Sequence, residues 1–374
     1  MTFKNVLSRF FMRKITLLER VHAHLTKRKN LNMTTQNNLC YAAIDDGSGS
    51  IMVKGMIDGK IVEHTIPALI QEEFAITDGG YGAGNFETEE GGEYFVSRNI
   101  PEPVSTTSQR YQTSEPNRVL IQQALIEAGF AGRDVAIAVG LPLRQFYSIG
   151  SKSPKNEVLI QAKKDNIKKG LKSFGGDIAN ITEVIVIPEA HAGVISIRDE
   201  LGLDADLNTV IVDIGEYSLD IAVMTPDNTI IASKTTDEGL HKLKERIQAT
   251  IIDKTDIPKT TPALIERVIR DKNAAFKGET IDLSDIIAGD VHWYAKRVIR
   301  TVTQIVESPG TVNSVFIGGG CILPQSDLKS VYEQYDGTAI FAPNPETVNR
   351  DAFYDILVDV HGIQTKPEAE TVDG

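Results

Sequence analysis

The chain is poor in sulfur, in basic charge and in long apolar runs, and each shortage removes a class of protein. Two cysteines, Cys40 and Cys321, among 374 residues cannot build a disulfide framework or a cysteine-cluster zinc site, and they fit a reducing compartment. No stretch approaches the roughly 18 consecutive apolar residues that a membrane span needs. Lys and Arg number 39 against 51 Asp and Glu, a net charge of −12, which argues against coating nucleic acid by phosphate neutralisation. His64, His191, His241 and His292 are scattered without a metal-protease spacing and read as surface or capping positions. Gly55–Lys60 is too short for a P-loop and lacks the following Ser or Thr. Gly79–Gly84 has no strand–helix context for a dinucleotide fingerprint. What is present is an ordinary globular composition, 41% hydrophobic, with length for two domains.

The charge is unevenly spread. Residues 1–33 carry eight basic side chains against Glu19 alone, so this leader is +7 and the remainder −19. Phe3, Val6, Leu7, Phe10, Phe11, Ile15, Leu18, Val21 and Leu25 recur at helical steps. Residues 1–38 therefore read as a basic amphipathic extension, with two readings. It is a surface-active helix whose residues 1–32 touch a membrane or an acidic partner, or an extension outside the working protein, with Met33 as the start. It lacks the h-region and cleavage site of a secretory signal, and the cytoplasm is the expected location.

From Leu39 onward, short apolar strands alternate with amphipathic helical stretches, the pattern of an α/β fold. Strands are expected at Tyr41–Ile44, Ile51–Ile57, Lys60–Thr65, Val135–Val139, Glu183–Ile187, Thr209–Asp213, Ser218–Met224, Thr229–Lys234 and Ser314–Ile317. Helices are expected at Asn117–Ala128, Lys155–Lys172, Ala190–Glu200, Gly239–Ile252, Thr261–Arg270, Leu283–Ser308 and Pro324–Tyr335. Asp78–Gly92, rich in Gly and acid, reads as an exposed loop or hairpin tip, and the polar tail 366–374 as frayed.

The most informative feature is an internal echo. Ala43-Ile44-Asp45-Asp46-Gly47-Ser48-Gly49-Ser50-Ile51 is repeated by Ile211-Val212-Asp213-Ile214-Gly215-Glu216-Tyr217-Ser218-Leu219 at a constant offset of 168. Asp45 answers to Asp213, Gly47 to Gly215 and Ser50 to Ser218. Each copy is an apolar strand, an Asp, a small-residue turn and a returning strand, which predicts two similar domains facing across a cleft. Glycine lets a backbone approach a phosphate, turn N–H groups and Ser hydroxyls donate to its oxygens, and Asp holds a hydrated Mg²⁺. Val315-Phe316-Ile317 running into Gly318-Gly319-Gly320 offers close approach to a flat group, or simply a tight strand-to-helix turn. Glu189, after Val186-Ile187-Pro188, either orients a water toward a phosphate or stabilises a first helical turn.

Together these elements resemble the actin, Hsp70 and sugar-kinase superfamily, from about Leu39 to Val360. The phrases Ile44–Ser48, Leu141-Pro142-Leu143 with Phe146-Tyr147, Pro188-Glu189, Ile317–Gly320 and the basic stretch Asn156–Lys172 before Gly175-Gly176 resemble the plasmid-segregation actins of the ParM/StbA family. The resemblance implies a two-lobed, ribonuclease H-like α/β fold around a nucleotide: domain I over 39–203, completed by 337–365, and domain II over 204–336. It implies ATP, with GTP left open, and Mg²⁺ near Asp45 and Asp213. Gly47, Ser48, Gly49 and Ser50 would cradle phosphates from one lobe, Gly215 and Ser218 from the other. Glu189 would position the attacking water, Gly318, Gly319 and Gly320 would pack beside adenosine, and Gly239 would approach the ribose. It implies an ATPase that assembles into filaments and reaches plasmid DNA through an adaptor protein, with no direct nucleic-acid contact; the acidic body makes association salt-sensitive. Small-molecule kinase, MreB-type cell-shape protein and weakly hydrolysing scaffold are the alternatives. One departure stands out: Glu216-Tyr217 occupies a position where the family pattern has small donor residues, and an anion beside phosphates is unfavourable unless it points away or helps hold the metal. Lys54 is left without a role, and the basic run within Asn156–Lys172 reads as a solvated helix face.

Overall fold

The computed structural model describes residues 39–76, 80–108, 110–147 and 154–363. The leader 1–38, the tail 366–374, and Asp78 and Gly79 of the glycine-rich stretch lie outside the described residues. In chain order the strands are β1 (Cys40–Asp46), β2 (Ser50–Ile57), β3 (Lys60–Pro67), β4 (Ile70–Glu72), β5 (Asn85–Thr88), β6 (Glu93–Val96), β7 (Asp134–Leu141), β8 (Leu171–Ser173), β9 (Asn180–Pro188), β10 (Thr209–Ile214), β11 (Leu219–Met224), β12 (Ile230–Thr236), β13 (Asn273–Phe276), β14 (Glu279–Asp282), β15 (Asn313–Ile317) and β16 (Ala339–Phe341). The helices are α1 (Glu115–Glu127), α2 (Leu143–Phe146), α3 (Glu157–Lys168), α4 (His191–Ile197), α5 (Leu240–Lys254), α6 (Pro262–Asp271), α7 (Ser284–Thr303), α8 (Gln325–Glu333) and α9 (Val348–His361).

The repeat seen in the sequence is a repeat of topology. One five-stranded sheet has the order β3-β2-β1-β7-β9 and the other β12-β11-β10-β15-β16. In each, an antiparallel hairpin is followed by two parallel neighbours. The registers agree as well: Asp45 faces Met52 in the first hairpin, and Asp213 faces Asp220 in the second, both at the offset of 168. β1 and β7 are buried along almost their whole length, as near-continuous apolar strands in the middle of a covered sheet must be. β2 alternates buried and half-buried positions, with Ile51 and Val53 in the core shared with α1 and Lys54 and Met56 on the face toward α9.

Helices begin where the sequence supplies caps. Ser114 accepts from Asn117 N–H ahead of α1, Asn156 from Leu159 N–H ahead of α3, and Thr261 from Leu264 N–H ahead of α6. α1 and α3 share a core with one face of the first sheet, through Val119, Leu120, Ile160 and Ile167. α9 covers the other face with Phe353, Leu357 and Val358. The second sheet is covered by α5, α7 and α8 on one face, through Leu243, Val298 and Leu328. On its other face Val194 of α4 and Val348 at the start of α9 pack against Ile211 and Val315. The chain thus crosses between sheets after α4 and again before α9, and the two crossings touch. The return to the first sheet falls after β16, which pairs with β15, and so later than residue 337.

Several expectations shift. The stretch from Lys155 is helical only over α3, and its end turns into β8, which pairs with β5. Helix α7 stops at Thr303, short of Ser308. The acidic, Gly-rich segment before Gly92 contains strand β5, whose hairpin with β6 belongs to a four-stranded sheet of order β4-β6-β5-β8. His191 is a core residue, bonded through Nδ1 to the Tyr147 hydroxyl and through Nε2 to the Asn228 carbonyl at 3.2 Å each.

Candidate functional site

The two hairpin turns approach each other between the sheets. The first, Gly47–Gly49, is held from its own lobe: Thr106 Oγ1 donates to the Ser48 carbonyl at 2.7 Å, and Ala68 N–H to the Gly49 carbonyl at 3.0 Å. Among the described residues the Ser48 and Ser50 hydroxyls have no hydrogen-bond partner. The second turn is closed by Gly215 N–H on the Ser218 carbonyl at 2.9 Å. Ser218 itself is engaged, donating to Asp220 Oδ2 at 2.7 Å, while Thr235 donates to Asp220 Oδ1 at 2.5 Å.

The two aspartates of the echo lie in one field. Asp45 is buried, and its carboxyl is pushed up to about 7 by burial, then by the charges of Asp213 and Asp46, with Lys163 and Arg350 opposing. Asp213 is likewise pushed up to about 7 by burial and by Asp220, its cross-strand neighbour. Glu189 joins them: burial and then the Asp45 charge hold it well above the usual carboxylate range. Its Oε1 is buried with no hydrogen-bond partner among the described residues. Three carboxyl groups that favour protonation share one low-dielectric space, which is the condition a divalent cation relieves. Among the described residues no cluster of three or more His, Cys, Asp or Glu side chains is arranged to ligate a metal unaided. That donor set suits Mg²⁺, which keeps several waters and takes one or two carboxylates together with phosphate oxygens.

Glu189 is placed by a strained turn. Ala190 has φ 59° and ψ −52°, and His191 N–H reaches back to the Glu189 carbonyl at 2.5 Å, the geometry of a rare γ-turn. The carboxylate stem lies on Gly140, where a Cβ would come 2.5 Å from Glu189 Oε1 and 2.7 Å from its Cγ. Helix α9 closes the group: Asn349 Oδ1 accepts from Ala190 N–H at 2.7 Å, and Asn349 Nδ2 donates to Asp213 Oδ2 at 3.3 Å.

The remaining glycines explain themselves by close approach to the second hairpin. Gly318, at φ 86°, leaves room where a Cβ would meet Ile214 O at 2.4 Å and Asp213 Oδ1 at 2.5 Å; Gly320 does the same against Ile214 Cγ2 at 2.5 Å. Gly319 is exposed, with nothing nearer than Glu346 at 3.7 Å. Gly239 has its missing side chain directed at the Glu216–Tyr217 backbone, 2.4 Å from Tyr217 C. The first N–H groups of α5 then bond this turn, Leu240 N–H to Gly215 O at 3.0 Å and His241 N–H to Glu216 O at 2.8 Å.

The stem of Glu216 lies against Gly49 of the first hairpin, but its carboxylate is held from the second lobe. Its carboxylate is turned onto Lys244 of α5, whose Nζ lies 2.8 and 2.7 Å from the two oxygens and 2.5 Å from Glu266 of α6. Tyr217 packs on His241, with ring centroids 5.1 Å apart. Behind the first hairpin, Lys163 is fully buried rather than solvated, its Nζ 2.6 Å from Asp46 Oδ2 and also bonded to Gln112 Oε1. Lys54 pairs with Asp351 at 3.0 Å, on α9. Sequence reading passed over Lys163, Gly140, Asp220, Lys244 and Asn349. Gly140 precedes the motif Leu141-Pro142, Asp220 follows the echo at Leu219 and Lys163 lies within Asn156–Lys172, whereas Lys244 and Asn349 stand beside no motif.

A two-lobed sheet repeat with paired Asp-bearing hairpins over a shared cleft defines the actin-like class, and known proteins agree. The family described as plasmid segregation protein ParM, N-terminal, matches residues 41–200, and that described as archaeal actin homologue MreB-like, C-terminal, matches 211–330. The chain belongs to the actin-like ATPase superfamily and is related to the plasmid-segregation ParM proteins. Among solved structures it is similar to Ta0583, an archaeal actin homolog in complex with ADP (16% identity, TM-score 0.66, covering 84% of this chain and 98% of that one). It is also similar to a ParM from Clostridium botulinum in a 15-stranded filament (20% identity, TM-score 0.64, 86% and 99%). A third is Bacillus thuringiensis ParM with ATP (14% identity, TM-score 0.58, 87% and 100%). No curated protein sequence matches the chain.

Proposed function

We propose that the protein is a nucleotide-driven, filament-forming ATPase that segregates plasmid DNA through an adaptor. The observation that carries this reading is the convergence of Asp45, Asp213 and Glu189, whose Oε1 has no partner among the described residues, between two hairpins of matching register. The relatives solved with ADP, with ATP and as a filament support it. In this reading Gly47–Ser50 and the turn Gly215–Ser218 offer backbone N–H groups to the phosphates, with Ser48 and Ser50 free to add hydroxyls. Asp45 and Asp213 hold Mg²⁺, directly or through water, and the ion supplies charge neutralisation for the phosphates. Glu189 orients a water and accepts its proton; burial, which raises its basicity, suits that task. In this reading the Glu216 carboxylate stays paired with Lys244 and does not oppose a phosphate, which supports hydrolysis over a weakly hydrolysing scaffold. Binding draws the hairpins together and favours subunit association; hydrolysis releases it. Contact with DNA passes through the adaptor, because the described body is acidic, and the same charge makes assembly salt-sensitive.

The test is purified protein with Mg-ATP, followed by light scattering and phosphate release together. Polymer that grows on ATP addition and decays as phosphate appears is the expected result. Phosphorylation of a small metabolite with no polymer would transfer the site to a kinase, and absence of polymer with every nucleotide would end the filament reading.

A further inference from the structure

Two features of the cleft are joined by one side chain. Asn349 is the second residue of α9, where the chain returns from the second lobe to the first. Its Oδ1 accepts from Ala190 N–H at 2.7 Å. A backbone N–H can only donate, so the amide orientation is set, and Nδ2 faces Asp213 Oδ2 at 3.3 Å. Ala190 is the centre of the strained turn that presents Glu189, and such strain persists only where neighbours over-determine it. Asn349 supplies one of those constraints. Gly193 allows the contact: a Cβ there would lie 2.8 Å from Val348 Cγ1 and 3.0 Å from Asn349 Oδ1, so α9 begins directly on α4. Asn349 thus stands where the returning chain meets the start of α4, the last helix before the first crossing.

We infer that Asn349 is a positioning residue that couples the Glu189 turn to Asp213, so that the first lobe's water-orienting carboxylate and the second lobe's metal-side carboxylate keep one spacing as the cleft opens and closes. The inference rests on the nucleotide-site reading above. The residue type is demanding. Asp in its place keeps an acceptor for Ala190 N–H but sets a carboxylate against Asp213. Leu loses both bonds at similar volume and leaves the Ala190 N–H without its partner.

The test separates this coupling from the enzymatic reading. Amide exchange of the full chain, measured by mass spectrometry without nucleotide, is compared for wild type, Asn349→Leu and Asn349→Asp. In Asn349→Leu, exchange should accelerate about tenfold both in residues 189–193 and in the hairpin 214–219, while 40–46 keeps its protection. In Asn349→Asp, residues 189–193 should stay protected and the hairpin alone should loosen. Single-turnover phosphate release at saturating Mg-ATP should then fall about tenfold in Asn349→Asp, with nucleotide affinity within about threefold of wild type. An unchanged hairpin in both variants overturns the coupling, as does a uniform rise of exchange across the chain. Should Asn349→Leu not fold, Asn349→Ser, too short to span both partners, is read in the same way. A wild-type protein that releases no phosphate while showing the coupled exchange would end the ATPase reading and leave the coupling standing.

Discussion

Gly49, at the tip of the first hairpin, rests on the side-chain stem of Glu216, at the tip of the second: a Cβ at Gly49 would lie 2.7 Å from Glu216 Cβ and 2.9 Å from its Cγ. The lobes thus touch at the phosphate end of the cleft, in a contact that only a glycine permits. Neither Glu216 atom is the free end of a flexible chain, so the neighbour gives way only by parting the hairpins. Gly49→Ala should lower affinity for Mg-ATP by about tenfold, or ~1.4 kcal/mol, with little change in unfolding by urea. A fluorescence titration with a labelled nucleotide measures it, and unchanged affinity would dissociate this contact from closure.

The other side of Glu216 makes a second prediction. Lys244 holds two carboxylates, Glu216 and Glu266, and its side chain is 15% exposed. Lys244→Met leaves Glu216 free to turn toward the phosphates, where its charge opposes binding. Nucleotide affinity should fall in Lys244→Met and recover in Lys244→Met/Glu216→Thr, with a coupling of about 1–2 kcal/mol from the double-mutant cycle. Equal affinities in the single and double variants would show that Glu216 never reaches the site.

The sequence made the duplicated hairpins legible because backbone and chemistry coincide there. An apolar strand must end at an Asp and a small-residue turn, and two copies at one offset leave little freedom. Gly318 and Gly320 were visible as a motif, but not their purpose, since the collision they avoid is with Ile214, a hundred residues away. Lys163 was misread because helix α3 carries several Lys at helical spacing, and only the tertiary contact with Asp46 shows which one faces inward. Asn349 offered no local sign at all. Helix α9 did leave a signal, in the spacing of Val348, Ala352 and Phe353 and the left-handed Gly362 that ends it, but no motif pointed to its place between the lobes. Short strands such as β13 and β14, joined through Lys277-Gly278, are too brief for a period to declare itself.

Glu189 depends on Gly140 for its place. Glu189→Gln keeps the shape and removes the base, so nucleotide should still bind while phosphate release falls by a factor of about 10²–10⁴ and polymer persists. Gly140→Ala should reproduce part of that loss with the carboxylate intact, because a Cβ displaces Oε1. Parallel stopped-flow phosphate release and light scattering check both, and wild-type release from Glu189→Gln would remove Glu189 from the reaction.

The cleft carboxyls also set a pH signature. Asp45 and Asp213, both raised to about 7 by burial in the nucleotide-free protein, are protonated in the folded chain over a range where the unfolded chain has already ionised. The folded state then binds more protons than the unfolded one, so stability falls as pH rises from about 4 to 7 and levels off above. A cation in the cleft favours the ionised forms. Binding of Mg-nucleotide at pH 6.5 should therefore release protons, seen as a dependence of calorimetric heat on the buffer's ionisation enthalpy, and the release should shrink by pH 8.5. Proton uptake at pH 6.5 would contradict the placement of the ion beside these groups.

The buried pair behind the first hairpin gives a prediction about stability rather than chemistry. Lys163 and Asp46 are both fully buried at 2.6 Å, and Asn117 Nδ2 also donates to Asp46 Oδ2 at 2.7 Å. Removing the cation alone strands a carboxylate in the interior, which costs about 3–5 kcal/mol, whereas removing both charges costs far less. Lys163→Met should therefore lower the urea midpoint sharply, and Lys163→Met/Asp46→Asn should regain most of it. Because Asp46 immediately precedes the Gly47–Ser50 turn, the single variant should also lose nucleotide affinity, and the double variant should recover it together with stability. If stability returned without affinity, Lys163 would have to act on the cleft through its charge as well, since its field also bears on Asp45 and Glu189.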